Sequence, residues 1–148
     1  MGILLVRHAE AVPEESASDD AARWLSAAGR EQAREVGELV RGQGIVLTRM
    51  LASPRVRAVQ TAELFAQALG FGGVVESLAE LSYTVPAQQA AQQLAALAPD
   101  EHIAAFGHMP TIAQIAAQLT EGSRQRGLSL CEALWIERGR VLWSLGPR

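Results

Sequence analysis

The sequence predicts a three-layer α/β/α sandwich around a mostly parallel sheet, closed at one edge by an antiparallel C-terminal pair. Three observations carry that expectation. Short apolar runs alternate with amphipathic stretches of helical period along most of the 148 residues, as in repeated strand–helix–strand units. Two of those runs, Ile3 to Val6 and His102 to Phe106, lead within two residues to a histidine. The last two runs, Leu128 to Glu137 and Val141 to Leu145, are joined around Gly139 as a hairpin would be.

In chain order, Ile3 to Val6 reads as a buried strand that stops at Arg7-His8-Ala9. Val12 to Ala22 is polar, with Pro13 and the pair Asp19-Asp20, and reads as a surface loop beside the strand end. Ser26 is the expected N-cap of a first helix, whose Ala33, Val36, Leu39 and Val40 share one face up to about Gly42. Ile45 to Ala52 supplies a second strand. Ser53-Pro54 then combines a capping serine with proline at the first helical position, so a second helix is expected from there to Leu69. Its buried stripe is Ala58, Ala62, Phe65 and Leu69, and Gly70 is its C-cap. Arg55 and Arg57 fall in the first turn, where residues two apart face different ways. At most one is expected to point to the strand ends, and Arg55 is read as the surface cation.

Gly72 to Leu78 reads as a short third strand and Ala79 to Val85 as a loop carrying Glu80. Pro86 opens a helix with Ala90, Leu94 and Leu97 inward. His102 to Phe106 is the next buried strand and ends in Gly107-His108. Pro110 starts a helix with Ile112, Ile115, Ala116 and Leu119 on one face, and Gly122 to Gly127 breaks the chain before the hairpin. Within the hairpin, Cys131, Trp135 and Trp143 are expected to pack rather than bind.

Composition narrows the function. The length suits a single domain over residues 1–148, with no linker or repeat. A net charge of −3 offers no basic field for nucleic acid. No apolar run is long enough to span a bilayer, and one cysteine allows no internal disulfide, so the expected location is the cytoplasm. The chain lacks lysine and asparagine, which excludes a P-loop and Schiff-base chemistry and looks like the coding bias of a GC-rich bacterial genome. Because all thirteen basic residues are arginine, only an arginine's position can signal phosphate recognition. The three histidines lack metal-ligand spacing, so neither metal nor cofactor is expected.

Arg7 and His8 close a strand at the sheet edge where α/β proteins bind ligands. A neutral imidazole can attack phosphorus while a guanidinium neutralises the phosphoryl oxygens. Arg57 and His108 leave later strands towards the same edge. The three segments Arg7-His8-Ala9, Ser53 through Thr61 (Ser-x-x-x-Arg-Ala-x-Gln-Thr) and Gly107-His108 resemble, in order and context, the histidine phosphatase superfamily, which includes phosphoglycerate mutases and many phosphatases. Asp20, Arg23-Trp24-Leu25-Ser26 and Gly29 are similar to the pattern of its short bacterial phosphohistidine phosphatases of the SixA type. Ala9 departs from the commoner glycine and Trp24 from the frequent proline; neither removes a chemical group.

The resemblance implies a phosphoglycerate mutase-like fold and catalysis through a covalent phosphohistidine on His8. Arg7, Arg57 and His108 would surround the phosphoryl oxygens. Glu80 is the one carboxylate in the loop where the family's acid lies, either a proton donor or a solvated loop residue; Glu10 could orient a substrate or belong to an ordinary loop. Residues 62–106 leave no room for the cap of longer members, so the site should be open. That favours a phosphohistidine presented by a phosphorelay protein. The alternatives are a small phosphate ester as substrate, or a module that binds phosphate without turnover.

Overall fold

The structure is a computed structural model and describes residues 2–82, 85–97 and 99–148. Its core is a six-stranded sheet in the order β3-β2-β4-β1-β5-β6. In chain order the elements are β1 (Gly2–Arg7), α1 (Ala27–Arg41), β2 (Arg49–Ala52), α2 (Val56–Leu69), β3 (Val75–Ser77), α3 (Ala87–Leu97), β4 (His102–Gly107), α4 (Thr111–Leu119), β5 (Ala133–Glu137) and β6 (Arg140–Leu145). Three short 3-10 turns lie at Glu14–Ser16, Asp20–Ala22 and Ala79–Leu81. Strands β1 to β4 are mutually parallel, whereas β5 runs antiparallel to β1 and β6 to β5. This is the expected mostly parallel sandwich with an antiparallel C-terminal edge.

Strand alternation sorts the core into two layers. Leu4 and Val6 face one way with Val36 of α1, Phe65 of α2 and Phe106, whose ring meets Phe65 edge-on at 5.1 Å. Ile3 and Leu5 face the other way with Leu94 of α3, Ile112 of α4 and Leu134. Residues in both layers are fully buried, so β1 is apolar on both faces and reads as a continuous run rather than an alternation. Gly37 lets α1 lie close on α2, since a Cβ there would be 2.8 Å from that of Ala68.

Several boundaries differ from the sequence reading. The second strand begins at Arg49 rather than Ile45, because Val46 is 76% exposed and Thr48 bonds the His102 carbonyl from a loop. The third is cut to Val75–Ser77, the three residues that pair with β2. Helix α2 starts at Val56, two residues late: Ser53 accepts the Arg55 N–H at 3.3 Å but does not cap, and Arg55 takes the cap position. Residues 128–132 are a turn, not strand. The Glu132 carboxylate accepts the Ser129 N–H and Cys131 adopts φ +59, which breaks an extended run. Cys131 is nonetheless fully buried. Ser26 caps α1 by accepting the Gly29 N–H, and Gly70 ends α2 at φ +68, as expected. Within the loop expected at Ala79 to Val85, Tyr83 and Thr84 lie outside the described residues.

Candidate active site

Strands β2, β4 and β1 are neighbours, and their registers align Ala52 with Phe106 and Arg7 with Gly107. Their C-terminal ends therefore finish level, and the next residues continue the ladder: the His8 N–H donates to the Gly107 carbonyl and the Ser53 N–H to that of Phe106, both at 3.0 Å. Three sequence-distant positions, His8, Ser53 and His108, thus emerge side by side.

The His8 ring is held in one tautomer. Its Nδ1 lies 2.7 Å from the Ala9 carbonyl oxygen, which can only accept, so Nδ1 carries the proton and the lone pair is on Nε2. The Ala9 peptide is itself fixed, its N–H donating to Thr61 Oγ1 at 3.1 Å while that hydroxyl donates to the Arg57 carbonyl at 2.7 Å. Burial pushes the His8 pKa down to about 4; the Ala9 bond opposes this, and the charges of Arg57, Arg7 and Arg23 add to it. His108 lies beside it with ring centroids 5.2 Å apart, and its Nε2 pairs with Ser53 Oγ at 2.7 Å. Burial first, then His8, Arg57 and Arg55, push His108 down to about 3 against the opposing charge of Asp20. Both rings are neutral at pH 7, so the positive charge of the cleft belongs to its arginines.

Those arginines are pinned. Arg7 Nη1 donates to the Leu128 carbonyl at 3.0 Å. Arg57, 2% exposed, donates Nη1 to the Asp20 carbonyl at 2.8 Å and Nη2 to its carboxylate at 3.1 Å. Arg55 reaches the same carboxylate oxygen at 2.6 Å and Arg23 the other at 3.1 Å. Arg55 is therefore not the solvated cation the sequence suggests, because the Asp20–Ala22 turn, capped by Asp19, brings Asp20 onto the start of α2. Partial burial would raise the Asp20 pKa, but hydrogen bonds from Arg23 and Arg57 and the Arg57 and Arg55 charges outweigh it and hold the group at about 2.

Together Arg7, His8, Glu10, Arg23, Arg57 and His108 line a cleft of about 320 Å³, with Ala11, Met109 and Leu130 as its apolar lining. Four of the expected site residues, Arg7, His8, Arg57 and His108, are thus gathered. Glu80 is not: it is half-buried in the Ala79–Leu81 turn and is not among the cleft-lining residues. Ser53 as the partner of His108, Thr61 as the anchor behind His8, and Asp20 as the hub of three arginines emerge only in the structure. Ser53, Thr61 and Asp20 did lie inside the quoted motifs, but nothing in the sequence specified their contacts.

This arrangement can be set beside known proteins. The pattern of the histidine phosphatase superfamily (branch 1) matches residues 3–134. The chain belongs to that superfamily. It is 27% identical over 124 residues to phosphohistidine phosphatase SixA of Escherichia coli strain K12, covering 82% of this chain and 76% of that protein. Its fold is similar to the structure of the protein histidine phosphatase SixA complexed with tungstate (TM-score 0.91, 24% identity, 99% and 97% of the two chains). It is similar, at greater distance, to a phosphoserine phosphatase mutant from Entamoeba histolytica in complex with phosphoserine (TM-score 0.70, 15% identity, 97% and 95%).

The fold accommodates Ala9 and Trp24, the two departures from the resembled patterns. Ala9 is fully buried under Thr61, and Trp24 is 41% exposed with its carbonyl accepting the Val12 N–H at 2.8 Å. Among the described residues, no group of three or more His, Cys, Asp or Glu side chains is placed to hold a metal, and no helix is long and apolar enough to cross a membrane.

Proposed function

We propose that the protein is a metal-independent phosphatase acting through a phosphohistidine on His8, and that its substrate is phosphohistidine in a phosphorelay protein. The observation that carries this reading is the His8 tautomer: a proton fixed on Nδ1 by the Ala9 carbonyl leaves Nε2 as an uncharged nucleophile in a cleft of three arginines. Nε2 attacks phosphorus in line, the bond to the leaving group breaks, and water then attacks the phosphorylated ring to release phosphate. Arg7, Arg57 and His108 surround the equatorial oxygens and stabilise the charge of each transition state.

Only β3, a short turn and α3 lie between α2 and β4, with no cap inserted among the described residues, which supports a phosphorylated residue presented by another protein. So does the lack of a second acid among the described cleft-lining residues besides Glu10, since a protonated imidazole leaves more readily than an alkoxide. SixA, to which the chain is similar, is named for that activity. A cytoplasmic location in a bacterium fits such a partner. A cleft of about 320 Å³ also admits a small phosphate ester, which is the second reading and fits the likeness to a phosphoserine phosphatase.

The test is phosphate release, with EDTA present, from a phosphohistidine-containing domain and from p-nitrophenyl phosphate. Higher kcat/KM on the phosphoprotein supports the proposal; preference for the ester moves the assignment to the second reading. Binding of the phosphoprotein without turnover would make the cleft a recognition site.

Asp20 supplies a further expectation. Removing its carboxylate in Asp20→Ala takes one anchor each from Arg23, Arg55 and Arg57, and a loosened phosphate clamp costs about 100-fold in kcat/KM. Asp20→Asn, which keeps an acceptor, should recover part of that loss, with circular dichroism verifying that both variants are folded.

A further inference from the structure

One acidic residue, exposed to solvent, stands among the cations that line the cleft. Glu10 is the only acidic side chain among the described residues lining it, where it accompanies Arg7, Arg23 and Arg57 and the neutral rings of His8 and His108. Its placement is specified from the backbone outward. The Glu10 N–H donates to Gln32 Oε1 at 3.1 Å, its carbonyl accepts the Ser26 N–H at 3.0 Å, and Ser26 Oγ donates to its carboxylate Oε1 at 2.8 Å. The serine that caps α1 therefore also orients this carboxylate, two residues along the chain from the nucleophile. A negative charge beside a phosphoryl group opposes binding of the phosphate itself, so its part in recognition lies in what the phosphate is attached to.

We propose that Glu10 is a specificity-determining residue that favours a leaving group bearing a positively charged ring nitrogen and disfavours one bearing a carboxylate or second phosphate. The inference rests on the phosphatase reading above and names the leaving-group chemistry of that same site. In the step concerned, the substrate imidazole carries a proton on the nitrogen distal to phosphorus and is cationic. His8 Nε2 forms the new bond to phosphorus, the old P–N bond breaks, and its electron pair stays on the substrate nitrogen. The substrate ring departs as neutral imidazole, retaining its distal proton, and no proton leaves Glu10. The Glu10 charge favours the cationic, reactive form of the substrate and holds it protonated to higher pH. Arg7, Arg23 and Arg57 act in the opposite sense on that ring, but Arg7 and Arg57 face the phosphoryl oxygens, whose negative charge they meet, and the Asp20 carboxylate offsets Arg23 and Arg57.

The test compares wild type with Glu10→Gln, which keeps an acceptor for Ser26 and removes the charge. Substrates are a phosphohistidine-containing domain and p-nitrophenyl phosphate, each followed across pH. The ratio of kcat/KM for the phosphoprotein to that for the ester is expected to fall about fivefold, the size of one solvent-accessible charge pair. The alkaline limb on the phosphoprotein should move to lower pH. An unchanged ratio with an unmoved limb would overturn the inference, as would equal losses on both substrates. Failure of wild type to turn over the phosphoprotein would instead overturn the underlying reading, and with it this one.

Discussion

His8→Ala is expected to lower phosphate release by at least about 10⁴-fold on either substrate, because it removes the atom that forms the covalent intermediate. The surrounding charge remains, so oxyanion binding should survive: Arg7 keeps its bond to Leu128 and Arg57 its two bonds to Asp20. The matching observation is an acid-labile phosphoenzyme trapped in wild type and missing in the variant. Retained turnover in a folded His8→Ala protein would exclude the covalent route.

The same residue sets an acid limit. With the His8 pKa lowered to about 4, Nε2 keeps its lone pair down to that pH, and kcat/KM should fall only as pH drops through it. Stability follows the same sign. In the unfolded chain the ring titrates near its ordinary value of about 6.5, so between there and about 4 the unfolded state binds the proton first. The contribution of a neutral His8 is therefore full above that window and declines as pH falls through it.

Gly29→Ala has the second large effect, on stability. A Cβ at this position would lie 2.0 Å from the Glu10 carbonyl oxygen and 2.9 Å from its carbon, a contact between two backbones rather than with a flexible side chain. The Glu10 carbonyl cannot retreat easily, because it accepts the Ser26 N–H at 3.0 Å. Overpacking of this kind costs about 3 kcal/mol, or a drop of about 10 °C in Tm for a chain of this size. The displacement would reach Ala9, whose N–H and carbonyl hold Thr61 and His8. Activity should therefore fall in the protein that remains folded. Gly72→Ala is the control, as nothing lies within 4 Å of its added Cβ. Equal melting temperatures for the two variants would show that the α1–loop contact is dispensable.

Gly29 also marks the limit of reading by motif. It belonged to a recognisable spacing with Asp20, Arg23 and Ser26, yet its reason is steric and lies 19 positions back along the chain. Asp20 is similar: its place in the motif was legible, but its bonds to Arg55 and Arg57 span about 35 positions and depend on where α2 begins. Ser53-Pro54 predicts that start two residues early, because serine followed by proline is a strong local cap signal. In the structure Ser53 pairs with His108, and the helix begins at Val56. Here a long-range bond prevailed over a local preference.

What the sequence determined by itself was whatever depends on period and neighbourhood. Apolar runs fixed the strands β1 and β4, helical spacing and end residues fixed α1 and α3, and the strand-then-histidine pattern put His8 and His108 at the same sheet edge. Tertiary structure alone decided the strand order that makes β2, β4 and β1 neighbours, and with it the meeting of His8, Ser53 and His108. It also decided the His8 tautomer and the sharing of one carboxylate by three arginines. The physical reason is that periodicity reports which side of an element is buried, whereas tautomers and ion pairs depend on angstrom-scale distances between groups whose separation along the chain carries no information about them.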